Sequence, residues 1–496
     1  MPAAVLALDQ GTTGSTALAF SHEGRVLGRA YSEFAQSYPQ PGWVEHDPEE
    51  IWQVSRRVMK EALDAAGVGP GELRAIGVTN QRETTVLWER KTGRPVHPAI
   101  VWQSRQTADI CEGLRREGHE AIFRERTGLV LDPYFSGTKV RWILDRYPGL
   151  RAGAAGGDVL FGTIDTWLLF RLTGGAVHAT DPTNASRTLL FDIHERRWDP
   201  RLLEILDIPP AMLPEVRPSS GFFGETAAGS GLPVGVPVTG IAGDQQAALF
   251  GQGCWEPGLA KNTYGTGCFV MMNMGGKRLK STGGLLATLC CDATGKPVYA
   301  LEGSIFIAGA AVQWLRDELG LIGNAAETEA IAAGLKDTGG VYVVPAFAGL
   351  GAPYWDMGAR GAIVGLTRGA GRRQLVRATL ESIAYQTRDV IDVMNVESGI
   401  PVQELRVDGG GAANGFLMQF QADMLGVPVD RPALVETTAA GAAFLAGLGV
   451  GFWENPEVLR GVRRRERLFQ PQMTEGEREK LYAGWKRAVQ RVRTAE

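Results

Sequence analysis

The chain has 496 residues, of which 44% are hydrophobic and 21% charged, and its formal net charge is −4. Single hydrophobic cores stop growing at about 250–300 residues, so this length predicts at least two large domains. The composition is that of a globular protein and excludes a mainly disordered chain. The sequence has no long basic tract and no uncharged apolar stretch of about 20 residues, which argues against nucleic-acid binding and a membrane span.

The cysteines and histidines indicate neither a disulfide framework nor a metal cluster. The five cysteines are scattered without a CxxC or other paired spacing, which is typical of reduced thiols in the cytoplasm. None of the six histidines lies at metal-ligand spacing from another. The N-terminus lacks the charged and apolar regions of a signal peptide, so the sequence predicts a cytoplasmic protein.

In chain order, the first elements are predicted to be an antiparallel meander, a helix and another strand. Val5–Asp9, Thr16–Phe20 and Val26–Tyr31 are apolar runs separated by Gly-containing turns, which is the pattern of short paired strands. Pro48–Ala66 carries apolar residues at helical spacing, and the aspartate before it is a good N-cap. The next apolar run, Leu73–Thr79, predicts a further strand.

The second half of the chain repeats features of the first. Leu259–Asn262, a Gly/Thr turn and Cys268–Met272 copy the strand, turn and strand of the N-terminus. Gly243–Gly251 and Ala440–Gly447 both predict small-residue helices that can pack closely against each other. Chance similarity between Gly/Ala-rich stretches is the alternative.

Two similar halves predict a cleft between them, and clefts between domains are favoured ligand sites. The Gly/Pro-containing stretch Gly251–Gly258 has the composition of a linker. We therefore expect an N-terminal domain over residues 1–251 and a C-terminal domain over residues 252–496.

Three Gly-rich turns have the composition of phosphate-binding turns. They lie at Asp9–Ser15, Thr263–Gly267 and Arg406–Asn414. Backbone N–H groups and threonine hydroxyls at such turns can donate to phosphate oxygens, and an acid at a strand end can hold Mg²⁺. Each turn is also compatible with an ordinary hairpin or βα connection. The first is not a Walker A loop, because no Gly-Lys-Ser/Thr follows it.

Polar residues that follow two predicted strands indicate a substrate site. Asp244 comes after an apolar strand, where its commonest alternative role is a helix N-cap. Arg82 and Glu83 follow another strand and supply donors and acceptors suited to a polyol, although a surface ion pair is the alternative. Trp102 and Tyr134 can form an apolar wall with a hydroxyl group, or simply pack in the core.

In combination, these motifs resemble those of the FGGY sugar kinases and, within that family, of the glycerol kinases. The resemblance runs nearly from end to end, over Asp9–Ser15, Asn80–Glu83, Ile100–Arg105, Asp132–Trp142, Ala242–Gln246, Asn262–Phe269, Phe347–Asp356 and Val407–Asn414. Tyr134–Leu144 and Gly361–Glu381 resemble the two general signatures of the family. Asn80–Glu83 and Phe347–Asp356 resemble glycerol kinases rather than pentulose or gluconate kinases.

The resemblance implies an α/β fold of two duplicated ribonuclease-H-like domains around a central cleft, with mixed sheets flanked by helices. This is the fold of the actin-like ATPases, which include actin, hexokinase and the Hsp70 ATPase domain. The resemblance also implies ATP and Mg²⁺ as cofactors, glycerol as the substrate, and a homodimer or homotetramer.

The resemblance further implies a role for each site residue. Asp244 would be the catalytic base that faces the reacting hydroxyl. Glycerol would be bound by Arg82, Glu83, Trp102, Tyr134, Asp244, Gln245 and Phe269. ATP would be bound by Thr12, Thr13, Gly14, Thr266, Gly309, Gln313, Gly410 and Asn414. Asp9 would hold Mg²⁺ through water.

The chain departs from the family pattern at several positions. Gly14 and Thr16 stand where relatives commonly have a serine and an arginine, so one cationic contact near the phosphates or an effector is expected to be missing. The segment Gly224–Val238 lacks the arginine and the histidine that serve regulation in some relatives. Control by fructose 1,6-bisphosphate or by a phosphotransferase protein is therefore predicted to be absent in its usual form.

Two other functions stay open from the sequence. A kinase for another small polyol or ketose would keep the same ATP machinery and differ only around the substrate. A non-catalytic nucleotide switch of the actin or chaperone kind is the second alternative. The presence of Asp244 beside a polyol-binding shell argues against it, because a switch needs no group that orients a hydroxyl.

Overall fold

The computed structural model describes residues 3–278 and 284–494. In these ranges the helices are α1 (Pro48–Ala66), α2 (Ala108–Arg116), α3 (Glu120–Thr127), α4 (Ser136–Arg146), α5 (Gly149–Gly156), α6 (Ile164–Leu172), α7 (Pro182–Ala185), α8 (Pro200–Leu206), α9 (Asp244–Gly251), α10 (Gly309–Asp317), α11 (Glu327–Ala333), α12 (Arg372–Ser398), α13 (Gly415–Leu425), α14 (Thr437–Gly449), α15 (Pro456–Val462) and α16 (Glu475–Gln490). Short 3₁₀ segments cover Pro210–Met212 and Gly410–Ala413.

The strands of the described ranges follow the same chain order. They are β1 (Ala4–Gln10), β2 (Gly14–Phe20), β3 (Val26–Glu33), β4 (Glu45–His46), β5 (Leu73–Asn80), β6 (Thr85–Glu89), β7 (Ala99–Ile100), β8 (Val159–Thr163), β9 (Ala179–Thr180), β10 (Phe191–Asp192), β11 (Arg197–Trp198), β12 (Glu215–Val216), β13 (Ser220–Glu225), β14 (Pro237–Gly243), β15 (Leu259–Tyr264), β16 (Cys268–Gly275), β17 (Leu286–Cys291), β18 (Pro297–Ile305), β19 (Tyr342–Val344), β20 (Ala362–Val364), β21 (Glu404–Asp408), β22 (Val429–Pro432) and β23 (Arg465–Phe469).

The two large sheets share one topology. The first has the order β13-β14-β5-β1-β2-β3, and the second has the order β17-β18-β16-β15-β21-β22-β23. In each sheet a hairpin, β1–β2 or β15–β16, lies beside two successive parallel strands, β5 and β14 or β21 and β22. The predicted duplication is confirmed, since chance similarity of Gly/Ala-rich stretches would not reproduce a strand order. The predicted α/β class, with mixed sheets flanked by helices, is also confirmed.

The local predictions for the N-terminal elements are confirmed as well. The meander is formed by β1, β2 and β3, which pair antiparallel in that order. The first helix, α1, begins at Pro48, and the carboxylate of its N-cap, Asp47, accepts the backbone N–H of Glu49 at 2.8 Å. Proline is well suited to this first helical position, because the missing N–H would have no partner within the helix.

The helices α9 and α14 cross in close contact between the two sheets, as their small-residue composition predicts. A β-carbon on Gly441 would overlap the carbonyl oxygen of Ala247, and one on Gly251 would overlap the carbonyl oxygen of Thr437. Only glycine permits such an approach of backbone to backbone. No larger side chain therefore separates the two helices at these points.

Each of these two helices also packs on the sheet of the other half. The helix α14 lies on the first sheet, where the hydroxyls of Thr239 and Ser220 donate to the carbonyl oxygens of Ala446 and Leu445, both at 2.8 Å. The helix α9 lies on the second sheet, where the side-chain amide of Gln246 donates to the Leu289 carbonyl oxygen at 3.0 Å. The halves are thus joined by an exchange of helices.

All five cysteines are buried, and none of them forms a disulfide. Among the helices of the described ranges, none combines the length and the apolar character needed to cross a membrane. Within the same ranges, no group of three or more His, Cys, Asp or Glu side chains is arranged to hold a metal ion.

Candidate active site

Three distant segments meet at one edge of the first sheet. The strands β1, β5 and β14 are parallel neighbours, with Asp9 and Ala242 both aligned on Thr79. The carboxyl ends of parallel strands lie at the same edge of a sheet. Asp9 at the end of β1, the Arg82–Glu83 pair after β5 and Asp244 after β14 therefore lie around one site.

Asp244 is the first residue of α9 and is held on two sides. Its Oδ1 accepts the backbone N–H of Gln245 at 2.7 Å and faces Nε of Arg82 at 3.1 Å. The N-cap is Gly243, so the interpretation of Asp244 as an N-cap is wrong. A carboxylate in the first helical turn is still stabilised by the helix dipole. The side chain is 32% exposed and so remains accessible to a ligand.

Behind Asp244 lies a buried network of two arginines and two glutamates. The guanidinium of Arg82 donates through Nη1 to Glu302 at 2.5 Å. Arg187 donates through Nε to Glu83 at 2.6 Å and through Nη2 to Glu302 at 2.9 Å. All four side chains are at most 2% exposed, so the interpretation of Arg82 and Glu83 as a surface ion pair is wrong.

The network fixes the charge of Glu302. Burial alone would raise the pKa of this carboxyl, but the neighbouring Arg187 and Arg82 lower its pKa to about 2. Glu302 therefore stays ionised at every physiological pH. It belongs to β18 of the second half, whereas both arginines belong to the first half, so the charge balance of the site depends on both halves.

The aromatic side chains form a wall next to this network. The rings of Trp102 and Tyr134 pack edge to face with centroids 5.6 Å apart, and the Arg187 guanidinium lies 5.6 Å from the Tyr134 ring centre. Burial and the charge of Glu83 raise the pKa of Tyr134, so its hydroxyl stays protonated. The indole Nε1 of Trp102 donates to Oγ1 of Thr12 at 2.9 Å, which joins the wall to the first Gly/Thr turn.

Phe269 and Gln245 lie where the second half meets this shell. In the register of the second sheet, Met271 is opposite both Lys261 and Glu302, and Phe269 is two residues from Met271. These side chains share one face of the sheet, because alternate residues of a strand point to the same side. From that face, the Lys261 ammonium donates to Oε1 of Gln245 in the first half.

The first Gly/Thr turn is compact. The N–H of Gly11 donates to the Gly14 carbonyl oxygen at 2.9 Å, and Thr13 is exposed at the tip. A β-carbon on Gly14 would lie 2.7 Å from both the Tyr31 ring and the Ser32 carbonyl oxygen. The departure from serine at this position therefore has a local reason, since a side chain would overlap its neighbours on β3.

The second Gly/Thr turn opens into a cleft of about 490 Å³. Its lining includes the five residues of the second half that were predicted to bind ATP, namely Thr266, Gly309, Gln313, Gly410 and Asn414. Apolar side chains complete the lining, among them Val312, Leu380, Ile383 and Leu417. Thr12, Thr13 and Gly14 are not among the lining residues and belong to the turn in the first half. A flat, largely apolar ligand such as a nucleotide base fits a lining of this kind.

Two of the lining residues have structural partners of their own. The backbone N–H of Gly309 donates to the Gly265 carbonyl oxygen at 3.0 Å, which ties the start of α10 to the turn. Asn414 is the N-cap of α13, since its Oδ1 accepts the Leu417 N–H at 2.9 Å, and its amide donates to Thr328 at 3.0 Å. A bond from Asn414 to a ribose or base stays a prediction.

Several charged residues of the site were not predicted from the sequence. Glu302 and Lys261 were detectable, because each is a single charge inside a short apolar strand. Arg187 lies two residues after the short polar helix α7 and gave no such signal. Lys139 is fully buried and donates to the carbonyl oxygens of Glu83 at 3.2 Å and Tyr134 at 2.7 Å. Burial lowers the pKa of Lys139 to about 7, and its two bonds hold both shell residues in place.

Comparison with known families decides the class of the protein. A model of the N-terminal domain of the FGGY family of carbohydrate kinases matches residues 4–251, and a model of its C-terminal domain matches residues 260–450. The chain belongs to this family. Both Gly/Thr turns, and the cleft at the second of them, are thus parts of an FGGY kinase.

Individual relatives of this FGGY kinase are similar over almost their whole length. The chain is 60% identical to a glycerol kinase of Caldanaerobacter subterraneus subsp. tengcongensis and 59% identical to glycerol kinase 2 of Thermotoga maritima, with 98% of each chain covered. It is also similar to the crystal structure of Plasmodium falciparum glycerol kinase with ADP, with a TM-score of 0.95 and 36% identity. That alignment covers 100% of this chain and 99% of the other.

Proposed function

We propose that this FGGY kinase transfers the γ-phosphoryl group of ATP to glycerol, forming sn-glycerol 3-phosphate and ADP. The observation that carries the proposal is the polar shell of Arg82, Glu83 and Tyr134 beside Asp244. Such a shell offers both donors and acceptors to the hydroxyls of a small polyol. Relatives named glycerol kinases, 59–60% identical over 98% of the chain, support the choice of glycerol.

Asp244 carries the proton chemistry in this proposal. Its carboxylate orients a terminal hydroxyl of glycerol toward the γ-phosphorus and accepts the hydroxyl proton as the new P–O bond forms and the bond to ADP breaks. Phosphoryl transfer has a loose transition state, so catalysis depends mainly on position and charge. Alignment of this kind can lower the barrier by about 7–11 kcal/mol.

The remaining residues hold the reactants. Arg82, Glu83, Tyr134 and Gln245 bind the hydroxyls of glycerol, and the two aromatic residues Trp102 and Phe269 pack on its carbon side. The turn of Thr12, Thr13 and Gly14 donates to the phosphates from the first half, and Thr266 does so from the second. The cleft formed with Gly309, Gln313, Gly410 and Asn414 binds the adenosine part of ATP.

We further propose that Asp9 holds Mg²⁺ through water. The charge of the site favours a cation. Burial and the nearby carboxylate of Asp244 raise the pKa of Asp9 to about 7, which shows that the two carboxylates repel each other beside the first turn. A divalent cation relieves this repulsion. When bound, it neutralises phosphate charge.

Closure of the two halves excludes water from the transfer. Water is smaller than glycerol and would otherwise compete as the acceptor, so glycerol binding is expected to drive the closure. The crossing of α9 and α14 is the proposed hinge contact, because it is made of glycine and alanine backbone. Hydrolysis of ATP without glycerol should therefore be much slower than transfer.

We also propose the remaining properties that the sequence predicted. The chain forms two domains over residues 1–251 and 252–496, acts in the cytoplasm and assembles as a homodimer or homotetramer. It lacks control by fructose 1,6-bisphosphate or by a phosphotransferase protein in the usual form. A flat activity curve against fructose 1,6-bisphosphate supports this point, and strong inhibition contradicts it.

A coupled ADP-release assay over four acceptors tests the proposed function. We expect glycerol to give a kcat/KM at least about a hundredfold above dihydroxyacetone, xylulose and gluconate, because unpaired polar groups in a built site discriminate strongly. A preference for xylulose or gluconate would favour a kinase for another polyol or ketose. The absence of ADP release with any acceptor would favour a nucleotide switch.

A further inference from the structure

The polyol shell of the first half contains a charge that comes from the second half. Glu302 lies on β18, and its two carboxylate oxygens are shared between Arg82 at 2.5 Å and Arg187 at 2.9 Å. Its side chain is fully buried, as is that of Arg187. A carboxylate that bridges two buried arginines in this way fixes the orientation of both guanidinium groups.

The position of Arg82 depends on this bridge. Its Nη1 donates to Glu302 and to Oε1 of Gln246 at 3.1 Å, while its Nε faces Asp244 at 3.1 Å. Its other acidic neighbour, Glu83, is more distant, at 3.9 Å from Nε. Without Glu302, Asp244 would be the nearest carboxylate to a buried cation and would be drawn into a tighter pair with it.

Arg187 depends on Glu302 in the same way. It donates to Glu83 through Nε and to Glu302 through Nη2. Glu83 has a backbone φ of 61°, a conformation that bulky residues rarely adopt, so it has to be held by its surroundings. Arg187 provides that support by donating to the Glu83 carboxylate, and Lys139 provides it by donating to the Glu83 backbone carbonyl oxygen.

We propose that Glu302 is a positioning residue for glycerol, supplied to the first half by the second. It holds Arg82 and Arg187 so that Arg82 and Glu83 face the substrate and Asp244 stays free to orient the reacting hydroxyl. The proposal rests on the proposed function. It adds that the glycerol site is complete only when β18 of the second half is in place.

The test is Glu302→Gln, measured for KM of glycerol, KM of ATP, kcat and Tm. Glutamine keeps the shape but turns an amide N–H toward an arginine donor. We expect KM of glycerol to rise at least about tenfold, the scale of a lost charge-assisted hydrogen bond. We also expect kcat to fall and KM of ATP to stay within about twofold, because the nucleotide cleft is not touched.

Asp430→Asn is a matched control. Asp430 on β22 is also fully buried and also accepts from two arginines, Arg463 at 3.1 Å and Arg465 at 2.7 Å, but it lies outside the site. The Asp430→Asn variant should have a lower Tm, as Glu302→Gln should, but a glycerol KM within about twofold of the wild-type value. Equal rises of glycerol KM in both variants would show a purely structural effect and overturn the proposal.

Glu302→Asp keeps the charge and provides a second test if the glutamine variant does not fold. Its carboxylate is one methylene short, so we expect an intermediate kcat/KM for glycerol, with KM of ATP unchanged. Wild-type glycerol KM in either variant would overturn the role of Glu302. Failure of the wild-type protein to phosphorylate glycerol would instead overturn the proposed function, so the two failures are distinguishable.

Discussion

The two proposed ligand sites of this kinase differ in the kind of residue that forms them. The polyol shell uses buried charged side chains, with Arg82, Arg187, Glu83 and Glu302 each at most 2% exposed. The nucleotide cleft uses glycines, alanines and apolar side chains, with Arg316 and Glu329 as the charged residues in its lining. Small polyols are recognised by directed hydrogen bonds, whereas a nucleotide base is bound by a flat surface and its phosphates by backbone N–H groups.

This contrast predicts different sensitivities. Removal of a charge from the polyol shell should impair glycerol binding or turnover, even if the shape of the side chain is kept. The nucleotide cleft should tolerate changes of charge but fail when a methyl group is added at a close backbone contact. The predictions that follow test this difference.

The largest effect is expected from Asp244→Asn. The amide keeps the size of the side chain but cannot accept the proton, so kcat should fall at least about a hundredfold. KM of glycerol should change little, because Arg82 remains bonded to Glu302. Steady-state kinetics measure both constants. Turnover close to wild type would contradict the role of Asp244 as the base.

A pair of glycine substitutions tests the nucleotide cleft. A β-carbon on Gly309 would lie 2.5 Å from the Gly265 carbonyl oxygen, whereas one on Gly410 would meet no atom within 4 Å. Overpacking typically costs about 1–3 kcal/mol. We therefore expect Gly309→Ala to raise KM of ATP about tenfold and Gly410→Ala to change it less than about threefold. Equal effects on KM of ATP, or a rise in glycerol KM, would contradict this.

Trp102→Phe tests the link between the two sites. The substitution keeps an aromatic wall but removes the indole N–H that donates to Thr12 at 2.9 Å. One hydrogen bond is worth about 1 kcal/mol, so KM of glycerol and KM of ATP should both rise about fivefold. Thr12→Val removes this acceptor and also the hydroxyl proposed to donate to the phosphates, so its rise in KM of ATP should be at least as large. A change confined to glycerol would mean that the bond has no effect on the phosphate turn.

The last prediction concerns stability rather than catalysis: the free energy of unfolding of the metal-free protein should depend on pH. The pKa of Asp9 is raised from its ordinary value of 3.8 to about 7, by burial first and by Asp244 second. Between these two values the folded protein binds more protons than the unfolded chain at this site, so its free energy of unfolding falls as pH rises from about 4 to 7.

Asp9→Asn should remove this fall in the free energy of unfolding, because the amide of asparagine does not titrate. We expect the free energy of unfolding of the variant to exceed that of the wild type by about 1–2 kcal/mol at pH 8, where Asp9 is charged. The difference should be smaller at pH 5, because Asp9 is protonated in the folded protein at that pH. Urea unfolding without Mg²⁺ measures the difference. Added Mg²⁺ and ADP should stabilise the wild type more than the variant, and the reverse order would argue against the role of Asp9.

The fold and the turns were predictable from the sequence because they depend on local patterns. The helix Pro48–Ala66 has a clear apolar period and an N-cap. The repeated strand, Gly/Thr turn and strand predicted the duplication, and the composition of α9 and α14 predicted their contact. The residues Thr266, Gly309, Gln313, Gly410 and Asn414 came together in one cleft, although their contacts with ATP stay predictions.

The buried charge network was not predictable in the same way. Arg82 was detected as a polar residue after a strand, but its partner Glu302 is 220 positions away in the chain. No local pattern shows which distant carboxylate will balance a buried arginine. The same reason accounts for the wrong interpretation of Arg82 and Glu83 as a surface pair. The wrong interpretation of Asp244 as an N-cap is a local shift, because the N-cap is Gly243, one residue earlier.

The exchange of helices has a consequence for cutting and recombining this chain. A fragment that ends at residue 251 would keep the first sheet but lose α14, which covers one face of that sheet. The complementary fragment would lose α9 in the same way. Each fragment would expose an apolar surface that promotes aggregation. Chimaeras between relatives should therefore exchange α14 together with the first half, rather than divide the chain where its sequence repeat begins.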